Sequence, residues 1–260
     1  MFRSVTPRSL PQPGHLYDVA IVGAGLAGSE LAWRLAGAGQ DVLLVSQALD
    51  NVGNLYHQEV DFGFPPGSLF EEARERALPE RTNWALHRQV KFLLEMTPGV
   101  HLLQSCVSAL EVQPEAPYQL RTWEGPLLSA RRVVLAVGSF LRGRLLIGHV
   151  EEEAGRLSEV AYDFLAHNLA DQGLQFAERQ DEAPGESGGM PYQVRYLTLS
   201  AGELQDFRVT RWPEVYALGR CVPGELDYAA TLQAAARLAS HLTAQLPVSP
   251  PASPNEEHSA

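Results

Sequence analysis

The chain has 260 residues, enough for one large domain or one domain with a small lobe, and 45% of them are hydrophobic, so a sizeable core is available. Twenty basic against 31 acidic side chains leave a formal charge of −11, which argues against a large nucleic-acid footprint because phosphates need a basic surface. Two cysteines far apart, Cys106 and Cys221, follow no metal-ligand spacing. No segment pairs positive charge with an apolar run as a signal peptide does, and none approaches the ~20 apolar residues of a membrane span. A cytoplasmic location without membrane contact is therefore expected.

Residues 1–14 carry Pro7, Pro11, Pro13 and Gly14 without periodicity, and residues 247–260 are rich in proline, serine and glutamate, so both ends are expected to be disordered around a folded body at 15–246. Residues 17–22, Tyr-Asp-Val-Ala-Ile-Val, form a short apolar run bounded by Gly23, as a buried parallel strand does. A helix is predicted over 26–39, a second strand over 41–46, and a helical stretch over 68–95 that Pro79 must break. A third strand is expected at 101–107. Short segments around Pro114, Pro117 and Gly125-Pro126 then suggest an antiparallel meander, with a buried strand over 132–137. Residues 150–210 read as a small inserted lobe with a helix near 158–172. A last buried strand at 215–218 ends at Gly219, and a helix of small and apolar residues follows from 228 to 246. This order predicts an α/β fold: a Rossmann-like domain with a parallel sheet, an antiparallel meander and a small inserted lobe.

Gly23-Ala24-Gly25-Leu26-Ala27-Gly28 is a G-x-G-x-x-G sequence placed after a buried strand and at the opening of a helix, the context that gives the pattern meaning. Gly23 permits the tight turn, Gly25 lets a pyrophosphate approach the backbone, and Gly28 lets the helix pack on the strand. The helix N-terminus offers unpaired N–H groups to the phosphates. At the end of the second strand, where an acid commonly binds ribose hydroxyls, the chain has Ser46 and Gln47 instead. Both can hydrogen-bond a ribose, both can equally cap the strand, and the missing acid argues against a plain NAD-binding dehydrogenase.

Gly138-Ser139-Phe140-Leu141-Arg142-Gly143, then Ile147-Gly148 and Ala154-Gly155-Arg156, resemble the corresponding stretch of the GidA (MnmG) flavoproteins, which modify the wobble uridine of tRNA. Residues 17–53, 80–107 and 216–238 are similar to that family in order and spacing. The resemblance implies an FAD-binding fold of the glutathione-reductase type. It implies a pyrophosphate at Gly23, Gly25 and Gly28 with the intervening Ala24, Leu26 and Ala27, and a ribose near Ser46 and Gln47. It further implies adenine at the Val107 backbone and a second approach from Gly138 and Ser139. Gly219 and Arg220, with the helix start at Tyr228, Ala229, Ala230 and Thr231, are implied beside the ribityl chain and flavin. The folate-dependent tRNA uridine methyltransferases share this flavin domain and are the alternative family.

The departures are equally specific. The family's Ser-Cys-Asn-Pro segment is replaced by Leu55-Tyr56-His57-Gln58-Glu59-Val60, and its Lys-Thr-Gly-Thr-Pro-Pro segment by Gly185-Glu186-Ser187-Gly188-Gly189-Met190-Pro191. No second glycine fingerprint for NAD(P)H is present. The chain reads as a small form of the family, limited to the flavin domain, to which the tRNA chemistry does not carry over. Groups near the flavin are expected from the 53–64 and 185–192 loops and from 220–228. His57 and Glu59 are candidates for proton transfer or are plain surface residues. Cys221 is either a redox partner or a buried thiol, and Asp227 either faces the cofactor or caps the last helix. Two functions follow: an FAD-dependent oxidoreductase with reduced nicotinamide as a candidate transient donor, or a flavin-binding module without turnover that partners tRNA modification.

Overall fold

The computed structural model describes residues 11, 14–112, 117–156, 159–183, 192–224 and 227–244; most of both predicted disordered ends lies outside them. The chain runs β1 (Leu16–Val22), α1 (Leu26–Gly37), β2 (Val42–Ser46), α2 (Leu69–Ala77), α3 (Asn83–Met96) and β3 (Val100–Gln104). Next come β4 (Val107–Glu111), β5 (Tyr118–Thr122), β6 (Leu127–Leu135), β7 (Arg144–Ile147), β8 (Val150–Glu152), β9 (Ala154–Arg156) and β10 (Glu159–Val160). The rest is α4 (Asp163–Asp171), β11 (Phe176–Ala183), β12 (Tyr192–Leu199), β13 (Leu204–Gln205), β14 (Arg208–Val209), β15 (Val215–Ala217) and α5 (Tyr228–Ala244).

Strand β1 is apolar throughout its second half because it lies inside a sheet covered on both faces, parallel to β2 on one side and to β6 on the other. The sheet order is β13-β14-β15-β6-β1-β2-β3, with β15 through β3 parallel. Alternate side chains feed two cores. Val19, Ile21, Val42, Leu44 and Val134 pack with α1, α3 and α5, whereas Ala20, Val22, Leu43, Val45 and Leu135 pack with the meander and α4. The nine-residue β6 serves two partners in turn: Leu127–Ala130 pair antiparallel with β5, and Val133–Leu135 pair parallel with β15.

Pro79 does divide the predicted 68–95 helix, and each half has its own cap: Ser68 Oγ accepts from Glu71 N at 3.1 Å and Thr82 Oγ1 from Ala85 N at 3.1 Å. The predicted strand at 101–107 is instead two strands. β3 ends at Gln104, the chain turns at Ser105-Cys106, and Val107 opens the meander; Ser105 N is satisfied by Ser46 O at 2.8 Å and Cys106 O by Trp123 N at 3.0 Å. The helix predicted near 158 starts only at Asp163, because Glu159 and Val160 pair with β9. Strands β11-β12-β7-β8 form a separate antiparallel sheet around Leu145, Ala154, Tyr192, Val194 and Tyr196. Helix α4 packs on the meander side of the main sheet rather than on this lobe. Among the described residues, no helix is long and apolar enough to cross a membrane.

Candidate cofactor site

The residues just beyond the carboxyl ends of β1, β2, β6 and β15 converge on one cavity of about 400 Å³. Gly23, Ala24, Gly25, Leu26 and Ala27 enter it after β1, Ser46 and Gln47 at the end of β2, Gly138 and Ser139 after β6, and Gly219 and Arg220 after β15. This rim is where open α/β sheets bind their ligands.

The three glycines of the fingerprint have separate tasks. Gly23 has φ +107°, and a Cβ there would lie 2.4 Å from the Ala136 carbonyl oxygen. Gly28 lies outside the cavity lining; its Cβ would sit 1.9 Å from the Gly23 oxygen, so it serves the packing of α1 on the turn. At Gly25 a Cβ would meet nothing within 4 Å, and the residue caps α1 without a side chain. The first turn of α1 thus has no side-chain cap, and the N–H groups that open a helix have no intrahelical acceptor.

Ser46 and Gln47 differ in what they have left to offer. Ser46 Oγ donates to Ala48 O at 2.9 Å, as a strand-end cap would, while Gln47 Nε2 is buried with no well-formed hydrogen bond, the Tyr162 hydroxyl being its neighbour. Val107 is not brought to the cavity; its side chain is fully buried in the meander core because the chain has already turned at 105–106. Ser139 Oγ donates to Gly155 O at 2.8 Å and lies 3.0 Å from Tyr56 Oη. At the start of α5 only Tyr228 and Thr231 line the cavity, while Ala229 and Ala230 turn away, since residues three apart share a helix face and those between do not. Asp227 lines the cavity and also caps α5, accepting from Ala230 N at 2.6 Å.

Sequence reasoning expected ring neighbours in the 53–64 loop, and Asn54, Leu55, Tyr56 and His57 do line the cavity, whereas Glu59 does not. His57 Nδ1 is 2.8 Å from Tyr228 Oη, and Phe62 packs edge-on against the imidazole and stacks on the Tyr228 ring. The segment 185–191 lies outside the described residues. Sequence reasoning missed the contributions of Arg156, Glu159 and Tyr162, although Arg156 stands in the Ala-Gly-Arg element. Arg156 donates to Leu55 O, and to Asn54 O at 3.2 Å. Its guanidinium carbon and that of Arg220 lie 5.0 and 4.9 Å from the Tyr56 ring centre, within cation–π range. Arg220 is also paired with Asp181 at 2.9 Å. Burial pushes the Glu159 carboxyl up to about 7, against the pull of Arg156 at 3.9 Å. Neither thiol lines the cavity. Cys221 is fully buried, donates to Leu135 O and Leu218 O, and burial pushes it up to about 11. That environment overturns the redox-partner role and makes it a structural cysteine.

Residues 18–76 and 76–184 match the sequence profile of the glucose inhibited division protein A family, GidA, over more than half of the chain. The chain belongs to the GidA family. It is 30% identical, in a match 205 residues long that covers 65% of this chain, to the tRNA uridine 5-carboxymethylaminomethyl modification enzyme MnmG of Treponema pallidum, of which it spans 32%. The crystal structure of the GidA-related protein from Thermus thermophilus superposes with a TM-score of 0.81 and 42% identity, covering 88% of this chain and 99% of that one. Aquifex aeolicus GidA shares the fold, with a TM-score of 0.76 at 12% identity, over 88% of this chain and 66% of that structure. The chain is thus a small GidA-like form built on a Rossmann-like fold, spanning about a third of the curated MnmG sequence it matches.

Proposed function

We propose that this GidA-family chain binds FAD across the cavity and acts as an FAD-dependent oxidoreductase. The observation that carries this reading is the glycine turn at Gly23 and the uncapped N-terminus of α1, set on a rim shared with the ends of β2, β6 and β15. The residues present fit such a group. The free first-turn N–H groups suit a pyrophosphate. Gln47 places a buried amide where a ribose is expected, with the Tyr162 hydroxyl beside it, and at Gly25 the space a Cβ would take is open. Ala24, Leu26 and Ala27 supply the walls of that turn, with Ser46 at the ribose end. Gly138, Ser139, Gly219, Arg220 and Thr231 supply the side toward the flavin. Val107, Ala229, Ala230 and Gly28 are assigned no direct contact.

Bound FAD would supply two-electron transfer; the chain's part is to bind it, orient it and manage protons. Tyr228 Oη accepts from Tyr56 N at 3.3 Å and shares a proton with His57 Nδ1, an exposed imidazole. This pair can hold a proton at the Tyr228 oxygen and replenish it from solvent. The absorption spectrum of the purified protein tests the reading: bands near ~375 and ~450 nm, with FAD released on unfolding, are expected of a flavoprotein. A colourless protein that takes up no added FAD refutes it.

The replacement of the family's Ser-Cys-Asn-Pro segment by Leu55-Tyr56-His57-Gln58-Glu59-Val60 favours a second reading, a flavin-binding module that supports tRNA wobble-uridine modification without its own turnover. Reduction of bound FAD by NADH or NADPH, followed by reoxidation faster than free flavin, separates the two. A reduced nicotinamide would then be a transient partner, and tRNA a partner only under the second reading.

A further inference from the structure

We infer, building on the proposed FAD site, that Glu159 is a cofactor-binding residue that works as a neutral acid, donating its carboxyl proton toward the dinucleotide, so that FAD uptake is linked to proton binding. Glu159 is held on the short β9–β10 pair, lines the same cavity as the glycine turn, and has only 13% of its side chain exposed.

Its surroundings do not compensate a carboxylate. Arg156 is the cation beside it, at 3.9 Å from Nε, beyond hydrogen-bond reach. The terminal nitrogens of that guanidinium are engaged with Asn54 O and Leu55 O. Among the described residues, the other titratable group beside Glu159 is neutral: Tyr162 is buried and its hydroxyl is pushed up. A buried charge that is poorly paired is costly, and the group takes up a proton instead. Burial accordingly pushes the Glu159 carboxyl above the usual carboxylate range.

A dinucleotide adds a dianionic pyrophosphate to this cavity. An ionised Glu159 would repel it, whereas a protonated one offers an O–H donor to its oxygens. Binding should therefore draw a proton onto Glu159 wherever the free protein has lost it. The charged or titratable His57, Glu182, Arg220, Asp227 and Tyr228 also line the cavity, so pH dependence alone does not assign the effect; a substitution at 159 does.

The test is a titration of the full chain with FAD, followed by quenching of flavin fluorescence, at pH 6.0 and 8.5 for the wild type, Glu159→Gln and Glu159→Ala. The wild type is expected to lose about tenfold in affinity over that interval, as ionisation near neutrality requires. Glu159→Gln keeps a neutral donor and should hold near the wild-type low-pH affinity with less than about twofold change. Glu159→Ala should bind weakly and equally at both values. Circular dichroism checks that each variant is folded, and calorimetry in two buffers of different ionisation enthalpy reads proton uptake directly, including for the wild type alone. A pH-independent wild type, or a Glu159→Gln that keeps the wild-type pH dependence, overturns the inference. Failure of every form to bind FAD at either pH overturns the FAD site itself, and this proposal with it.

Discussion

Asn83 holds Leu55 by both of its backbone polar groups: Leu55 N donates to Asn83 Oδ1 at 3.0 Å, and Asn83 Nδ2 donates to Leu55 O at 2.9 Å. A buried amide at the start of α3 thus fixes the loop that carries Tyr56 and His57 into the cavity, 28 residues away in sequence. Asn83→Ala leaves the buried Leu55 N–H without its acceptor and should cost about 2–3 kcal/mol in urea unfolding. Its FAD affinity should fall as well, because the loop loses its position. Wild-type stability in this variant would show that the contacts of the loop to Arg156, Tyr228 and Ser139 hold it without Asn83.

The fingerprint glycines should separate fold from ligand. Gly28→Ala places a methyl 1.9 Å from the Gly23 oxygen, backbone that cannot retreat, and should cost more than about 3 kcal/mol or abolish folding. Gly25→Ala places its methyl in open space at the N-cap, so thermal unfolding should change by less than about 1 kcal/mol. Its FAD affinity should nevertheless drop about tenfold or more, since the methyl occupies the approach of the pyrophosphate. Parallel stability and affinity losses at Gly25 would contradict this division.

Glu159 should also set a pH window for the stability of the protein without added cofactor. Its folded-state value of about 7 stands above the ordinary 4.5, so the folded form binds the proton more tightly than the unfolded chain. Stability from this group is fully present below about 4.5, declines as pH rises toward 7, and is constant above. Wild-type stability relative to Glu159→Gln should fall by about 2–3 kcal/mol across that window in urea titrations. A constant difference from pH 4.5 to 8 would mean the carboxyl is not desolvated.

Both cysteines should be silent in the native protein. Cys106 is 7% exposed and Cys221 not at all, and burial pushes the two thiols up to about 12 and 11. An aromatic disulfide reagent at pH 8 should therefore modify neither until denaturant is added, then both. Rapid labelling of native Cys221 would return it to the cofactor site.

The first strand, the glycine turn and the helix after it were legible in the sequence alone. Those signals are local: an apolar run long enough for one buried strand, and three glycines at the spacing of one turn and one helical start. Ser46 and Gln47 were within reach too, because they stand at the end of a recognisable apolar strand, whereas Gly138, Ser139, Gly219 and Arg220 came from the resemblance to the GidA flavoproteins. The remainder came from tertiary contacts. Nothing local distinguishes Gly25, which faces open space, from Gly28, which meets backbone. Val107 looks like the end of a strand in sequence, yet it opens the next strand after a turn satisfied by Ser46, and it is not among the residues lining the cavity. Tyr56 meets Ser139 across 83 residues, and Arg156 meets Leu55 across 101. The carboxyl of Glu159 is largely buried in the fold, and burial is the sum of distant contacts, which no short stretch of sequence encodes.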